Sequence, residues 1–396
     1  TPRRHPLSFF TSNFDDIRSG KTTDVYFERT NRILDAKNIR KNTRSELMAK
    51  HLPSGWGVFT GLAEILSLLE GLPVKVRSVP EGTVFRPFQP VMEIEGLFND
   101  YGALETAILG LMCQSSGIAT KAARCRIAVG GLQLVSFGAR RMHPTIAPMI
   151  DRSAYIGGCD GVAMTSNAGM LGLPAVGTMP HALVLLMGGL VPAIKAFDEV
   201  IDEGVRRVAL VDTLGDEKFE ALEAARTITD RLYAVRLDTP GSRRGDFAQI
   251  LEEVRWELDR AGYRHVKLFV SGGLDEDKIL ALNGIVDGGF GVGTAISGAA
   301  TIDYSMDIVE IEGEAIAKRG KASGAKHLLR CRDCNRERVI PIDRPYGDCE
   351  ECGGVMEQML ATVMEEGKIV NPLPEPAKIR DYVLRQLPDC SLAGSE

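Results

Sequence analysis

The residues best equipped for chemistry stand in five short stretches, and the most demanding of them is built on cysteine. CRDC at 331–334 and CEEC at 349–352 form a C-x2-C-x14-C-x2-C array. Two close thiolate pairs carried on two turns supply the four tetrahedral sulfur ligands of a structural Zn²⁺, here Cys331, Cys334, Cys349 and Cys352. A metal with four protein ligands keeps no open position for catalysis, so its binding energy is folding energy. The second stretch is SFGARRMHP, 136–144, where Phe137 can stack a flat ring and Arg140, Arg141 and His143 can meet a carboxylate or phosphate. The third is VRLDTPGSRRGD, 235–246: Asp238 can accept from sugar hydroxyls, and Arg236, Arg243 and Arg244 add positive charge near it. In the fourth, GTMPHAL at 177–183, His181 opens an apolar helix, where free backbone N–H groups favour an anion.

The fifth is GFGVGT, 289–294, together with Ser271-Gly272-Gly273 earlier in the chain. Glycine turns let backbone N–H groups close on a phosphate, so Gly291, Gly293, Thr294, Ser271, Gly272 and Gly273 are candidate phosphate ligands. The pattern is not G-x-G-x-x-G, and no βαβ unit with an acid about 20 residues further on follows it, which excludes a dinucleotide fingerprint. SGKTT at 19–23 fails as a P-loop, because its first glycine position is Asp15.

These stretches need elements to hold them. From about residue 205 the chain alternates apolar runs with amphipathic ones: VRRVALVDT, EKFEALEAARTITDRL, YAVRLDT, FAQILEEVRWELDRAG, VKLFVSGG, DEDKILAL and GIVDGGFGVGT. Buried parallel strands read as continuous apolar runs and crossover helices as amphipathic ones. Asp212, Asp238, Ser271 and Gly291 to Thr294 then fall at strand ends, the layout of an α/β barrel with chemistry on its carboxyl-terminal rim. Residues 74–96 alternate apolar and polar around Pro and Gly, as short antiparallel strands do, and a helix is expected over 101–124. Beyond residue 300 the charged stretch EGEAIAKRGKASGAKH suggests a boundary. The expected division is an N-terminal domain over 1–112, a barrel domain over 113–300 and a C-terminal domain with the cysteines over 301–396.

Composition narrows the partners. With 396 residues, 44% hydrophobic, 25% charged and a net charge of −6, the chain is long enough for several cores and carries no basic excess for nucleic acid. Its most apolar run, 182–194, is too short to span a bilayer, and TPRRHPLSFF lacks the form of a signal peptide, so a cytoplasmic protein with small-molecule partners is expected.

TDVYFERT (23–30), SFGARRMHP, GTMPHAL, RLDTPGSRRGDF, VSGGLDE and GFGVGT, in this order and at these separations, closely resemble nicotinate phosphoribosyltransferases of the archaeal type with a C-terminal zinc knuckle. The resemblance spans roughly residues 20–360. It implies a type II phosphoribosyltransferase fold: an N-terminal α+β sandwich, an irregular α/β barrel and a small zinc-binding domain. It implies the joining of nicotinate to phosphoribosyl pyrophosphate, with Mg²⁺, coupled to ATP hydrolysis, in NAD salvage. By the same resemblance Phe137 and a partner subunit's Tyr26 sandwich the pyridine ring, Arg140 and Asp238 act on the anionic end and the ribose, and His181 is transiently phosphorylated. A homodimer is the minimal unit implied, with a larger assembly such as a trimer of dimers left open. Quinolinate or nicotinamide as substrate, and a zinc-ribbon nucleic-acid-binding protein, are the competing readings.

Overall fold

The computed structural model describes residues 9–243 and 245–393; Arg244, one of the arginines expected near Asp238, lies outside them. Among these residues the chain forms two compact units, one from residues up to 116 with 301–374, the other from 117–300 with the segment from 375 onward.

The second unit is built on six parallel strands. In spatial order they are Gly161–Val162, Gln133–Ser136, Gly289–Val292, Lys267–Ser271, Leu232–Leu237 and Arg207–Leu210. Every position of Gly289–Val292 and Arg207–Leu210 is buried, which is why they read as unbroken apolar runs. The two outer strands do not pair with each other, so the sheet curls into an open half-barrel. Helices Glu217–Ile228, Phe247–Arg260 and Glu276–Leu282 cross over between strands. Along Phe247–Arg260 the buried residues are Phe247, Leu251, Val254 and Leu258, one stripe at helical spacing. Truncating one of them, as in Leu251→Ala, is expected to cost about 2–5 kcal/mol. All three helices start on an aspartate (Asp216, Asp246, Asp275) whose carboxylate accepts a backbone N–H of the first turn. The apolar helix expected from His181 ends at Leu186, because Gly188 (φ 80°) and Gly189 (φ 151°) break the run before a second helix, Leu190–Val200.

The first unit carries a seven-stranded sheet. Within it Asn42–Ala49 lies antiparallel between Pro90–Leu97 and Tyr304–Ile311, and Lys75–Ser78 pairs with Ala361–Glu365. The antiparallel strands expected within 74–96 are therefore present, while the chain beyond 300 re-enters the same sheet. Helix Leu62–Leu69 covers the sheet with Ile65, Leu66 and Leu69, which join Phe59, Tyr101 and Ile108 in one core. A three-stranded sheet, Glu337–Pro341, Lys326–Cys331 and Met356–Gln358, holds the cysteines. It is joined to the larger sheet by a buried ion pair, Lys326 Nζ to Glu46 Oε2 at 2.7 Å, and by Gln89 Nε2 donating to Glu337 Oε2 at 2.8 Å. Buried pairs of this kind add little net stability but are costly to break singly, so they fix which surfaces meet. No helix among the described residues is long and apolar enough to cross a membrane.

Candidate active site and cysteine cluster

Strand ends of the half-barrel open on a cleft of about 640 Å³. The turn after Gln133–Ser136 brings Phe137, Arg140 and Arg141 to it. Strand Leu232–Leu237 delivers Arg236 and, just past its end, Asp238. Ser271, Gly272 and Gly273 follow one strand, and Gly291, Gly293 and Thr294 close the next. Eleven residues singled out in separate sequence stretches thus share one cavity.

Two glycines in it are dictated by geometry. A Cβ on Gly291 would stand 2.2 Å from Cε2 of Phe137, so the aromatic ring can lie where it does only over a glycine. Gly272, at φ 89°, turns the chain so tightly that a Cβ would meet Asp238 Oδ1 at 2.7 Å. Ser271 Oγ is buried with no hydrogen-bond partner, an unusual state for a hydroxyl and one that a ligand would relieve.

The cleft is asymmetric in charge. Arg236 stands with its guanidinium carbon 6.0 Å from the centre of the Phe137 ring, its Nε unpartnered. Its Nη2 donates to Met179 O at 3.5 Å. Burial pulls its pKa below the usual arginine value, Asp238 and Asp212 oppose that shift, and Arg140 adds to it. Arg140 and Arg141 are exposed, and among the described residues no carboxylate pairs with either.

His181 borders the cleft. Its Nδ1 is 3.0 Å from Thr213 Oγ1, and its Nε2 lies 3.9 Å from both Asp212 Oδ1 and Asp238 Oδ2. Asp212 Oδ2 accepts the backbone N–H of Asp238 at 2.6 Å, whereas its buried Oδ1 has no partner. Burial raises the Asp212 pKa against the lowering effect of that N–H. Asp212 and Thr213 were legible only as the polar end of an apolar strand; their relation to His181 depends on folding.

Of the remaining candidates, His143 lies outside the cleft lining, and Tyr26, expected from a partner subunit, has its own surroundings in the first unit. His143 is exposed and caps the turn Pro144–Ile146, its Nδ1 2.8 Å from Thr145 Oγ1, and does not line the cleft. Tyr26 belongs to the other unit, on helix Val25–Ala36; it is 54% exposed, and its hydroxyl donates to Asp24 Oδ2 at 3.3 Å. Arg243 is exposed beside the turn after Asp238.

The four cysteines converge. Their sulfurs all lie within 4.8 Å of one another, with Cys331 to Cys352 at 3.4 Å and Cys334 to Cys349 at 3.6 Å. Ligands about 2.3 Å from a tetrahedral centre are about 3.8 Å apart, so the donor set fits a zinc-sized ion. The two turns are near copies. Asn335 N–H donates to Cys331 O at 3.2 Å and Gly353 N–H to Cys349 O at 2.8 Å, with φ of 56° and 73° at the residue after each second cysteine.

A curled parallel half-barrel that gathers an aromatic, arginines and glycine turns at its strand ends, in a chain that also carries an antiparallel N-terminal sheet, is the fold of a type II phosphoribosyltransferase. Family models agree: the quinolinate phosphoribosyl transferase N-terminal domain matches residues 24–116 and its C-terminal domain residues 118–307. A nicotinate phosphoribosyltransferase of Mycobacterium tuberculosis is 30% identical over 356 residues, covering 78% of each chain. One from Bacillus subtilis is 30% identical over 249 residues, 60% of this chain and 50% of that one. This chain belongs to the nicotinate phosphoribosyltransferase family. Among solved structures, a nicotinate-nucleotide pyrophosphorylase from Pyrococcus furiosus is 53% identical with a TM-score of 0.94, covering 96% of this chain and 97% of that one. The human nicotinic acid phosphoribosyltransferase shares the fold at 20% identity, TM-score 0.77, covering 93% of both chains.

Proposed function

We propose that the chain joins nicotinate to phosphoribosyl pyrophosphate, giving nicotinate mononucleotide and pyrophosphate with ATP hydrolysis coupled. The observation that carries the choice of substrate is Arg236, a largely buried cation beside the Phe137 ring with no carboxylate hydrogen-bonded to it among the described residues. A ring stacked on Phe137 that carries one carboxylate would complete it; a neutral amide would leave the guanidinium with only the through-space attraction of Asp238 and Asp212 and no bonded carboxylate.

The reaction needs little proton transfer. The pyridine nitrogen lone pair forms the bond to the anomeric carbon as the bond from that carbon to pyrophosphate breaks, and the pyrophosphate oxygen leaves with the electron pair. Positive charge spreads over the ribose in the transition state, so positioning and charge stabilisation dominate. Ser271 to Gly273 and Gly291 to Thr294 take the 5′-phosphate, Asp238 the ribose hydroxyls, and Arg140 and Arg141 the departing Mg²⁺–pyrophosphate. Tyr26 supplies the opposite face of the ring from a partner subunit in a homodimer. For the ATP step, a lone pair on His181 Nε2 bonds to the γ-phosphorus, and ADP leaves with the electrons of the broken P–O bond. A Zn²⁺ held by Cys331, Cys334, Cys349 and Cys352 would crosslink two turns of the small sheet and supply no chemistry to the cleft.

A second reading keeps its place because of Arg140 and Arg141. Two unpaired arginines near Phe137 offer a site for the second carboxylate of quinolinate, and the family models carry that name. One assay separates them. Labelled nicotinate, nicotinamide and quinolinate are each incubated with phosphoribosyl pyrophosphate and Mg²⁺, with and without ATP. Preferred turnover of nicotinate, raised by ATP, is the expected result, with His181→Ala keeping weak ATP-independent turnover at high substrate while losing ATP hydrolysis and the stimulation by ATP. Faster turnover of quinolinate, with release of carbon dioxide, would replace the proposal.

A further inference from the structure

Glu220 sits in the first turns of helix Glu217–Ile228, 7% exposed, and no cation pairs with it among the described residues. Its carboxylate is given over to backbone amides. Oε2 accepts from Thr213 N–H at 3.2 Å; Oε1 accepts from Leu214 N–H at 3.2 Å and Gly215 N–H at 2.8 Å. Three consecutive donors on one carboxylate fix the path of the loop after strand Arg207–Leu210, and such charge-assisted bonds are the strong kind. Thr213 of that loop has its Oγ1 3.0 Å from His181 Nδ1. With Nδ1 engaged, the other ring nitrogen is aimed at Asp212 and Asp238.

We propose that Glu220 is a positioning residue for His181: by tying down the amides of 213–215 it keeps Thr213 Oγ1 on Nδ1, which fixes the imidazole's orientation and leaves Nε2 as the nitrogen offered to the cleft. The inference rests on the reading of His181 as the reactive histidine for its use in turnover, but not for the geometry it asserts. Glu220 touches neither His181 nor the cleft. Which nitrogen of a histidine is free is set by the bond the other one makes, so a loop anchor can decide it at one remove.

The bond pattern suggests a selective probe. Glu220→Gln can keep a carbonyl oxygen toward Leu214 and Gly215 but places an NH₂ against Thr213 N–H, donor facing donor. Thr213→Val removes the hydroxyl directly, and Thr213→Ser restores it. Glu220→Asp, which withdraws the carboxylate by one methylene, serves if Glu220→Gln does not fold. Imidazole ¹⁵N spectra of ¹⁵N-histidine protein, with His181 assigned by His181→Gln, report which ring nitrogen carries the proton.

The expected result is that Glu220→Gln and Thr213→Val shift the His181 tautomer signals to the same new position, while Thr213→Ser keeps the parental ones. Their losses in the ATP-stimulated kcat should be about 10- to 100-fold with smaller changes in KM, and far from additive in the double variant. A lowered melting temperature with parental His181 signals would reduce Glu220 to a helix-start anchor and overturn the proposal. So would a shift in Thr213→Val that Glu220→Gln does not share. If γ-labelled ATP leaves no phosphate on parental His181, the acceptor role falls, and the imidazole spectra still decide the positioning claim.

Discussion

Gly291→Ala tests whether the Phe137 ring is held where a pyridine must stack. The added Cβ would lie 2.2 Å from Phe137 Cε2 and 2.4 Å from Cδ2. Ordinary carbon contacts sit near 3.5 Å, so the ring must withdraw by about 1.3 Å or the strand must move. The strand has little freedom, since Gly289–Val292 is hydrogen-bonded between Gln133–Ser136 and Lys267–Ser271, and Phe137 N–H donates to Val292 O at 2.8 Å. Overpacking of this kind costs about 1–3 kcal/mol of stability, and a displacement near 1 Å can cost about 10²-fold in turnover. The expected outcome is a folded protein whose KM for nicotinate rises about 10- to 100-fold, equivalent to about 1.4–2.8 kcal/mol of lost binding, with a smaller change for phosphoribosyl pyrophosphate. Steady-state kinetics with each substrate varied in turn, alongside a thermal melt, reads both. A stable Gly291→Ala protein with parental KM for nicotinate would show that Phe137 does not stack the ring.

Metal analysis should find about one zinc per chain, and Cys331→Ser should lower the melting temperature and solubility more than turnover; a metal-free variant of full stability and activity would refute the structural role. Mixing inactive Tyr26→Ala with inactive Phe137→Ala chains should restore part of the activity through hybrid dimers; hybrids that form and stay inactive would remove Tyr26 from a partner's site. The Glu105 carboxyl is pushed up from 4.5 to about 7 by burial first and then by Asp307 and Asp24. The folded chain therefore holds a proton that the unfolded chain releases, and this group's contribution to stability falls as pH rises from about 4.5 to 7. Glu105→Gln should raise the melting temperature at pH 8 and hardly change it near pH 4.5; equal shifts at both would contradict that assignment.

The half-barrel was legible because its strands are buried on both faces. VALVDT, VKLFVSGG and GFGVGT each show an apolar core and a polar end, and the ends of the last two line the cleft. Less visible was anything set by a partner far along the chain. Tyr304–Ile311 is a strand of mixed buried and part-buried positions whose partner, Asn42–Ala49, is some 260 residues away, so the stretch near it reads as a boundary. Glu220 looked like one acid among several on an amphipathic helix; its hold on three amides exists only once helix and loop have packed. His143 shows the converse: beside two arginines its ring looks like part of an anion site, while in the fold it caps the local turn.

The strand order of the first sheet also dictates a timetable during synthesis. Asn42–Ala49 is an interior strand, but Tyr304–Ile311, which covers one of its edges, is made 262 residues later, counting from Ala49 to Ile311. At about 5–20 residues per second this leaves roughly 13–50 s between the two. All six strands of the half-barrel have emerged by Val292, so that sheet can close while the earlier one still waits. For that interval the nascent sheet shows two unpaired edges, Lys75–Ser78, whose partner Ala361–Glu365 is made later still, and the longer Asn42–Ala49, a template for pairing with neighbouring chains on the same message. The strand carries Arg44 and Glu46, side chains that discourage such pairing until Glu310 and Lys326 arrive to meet them.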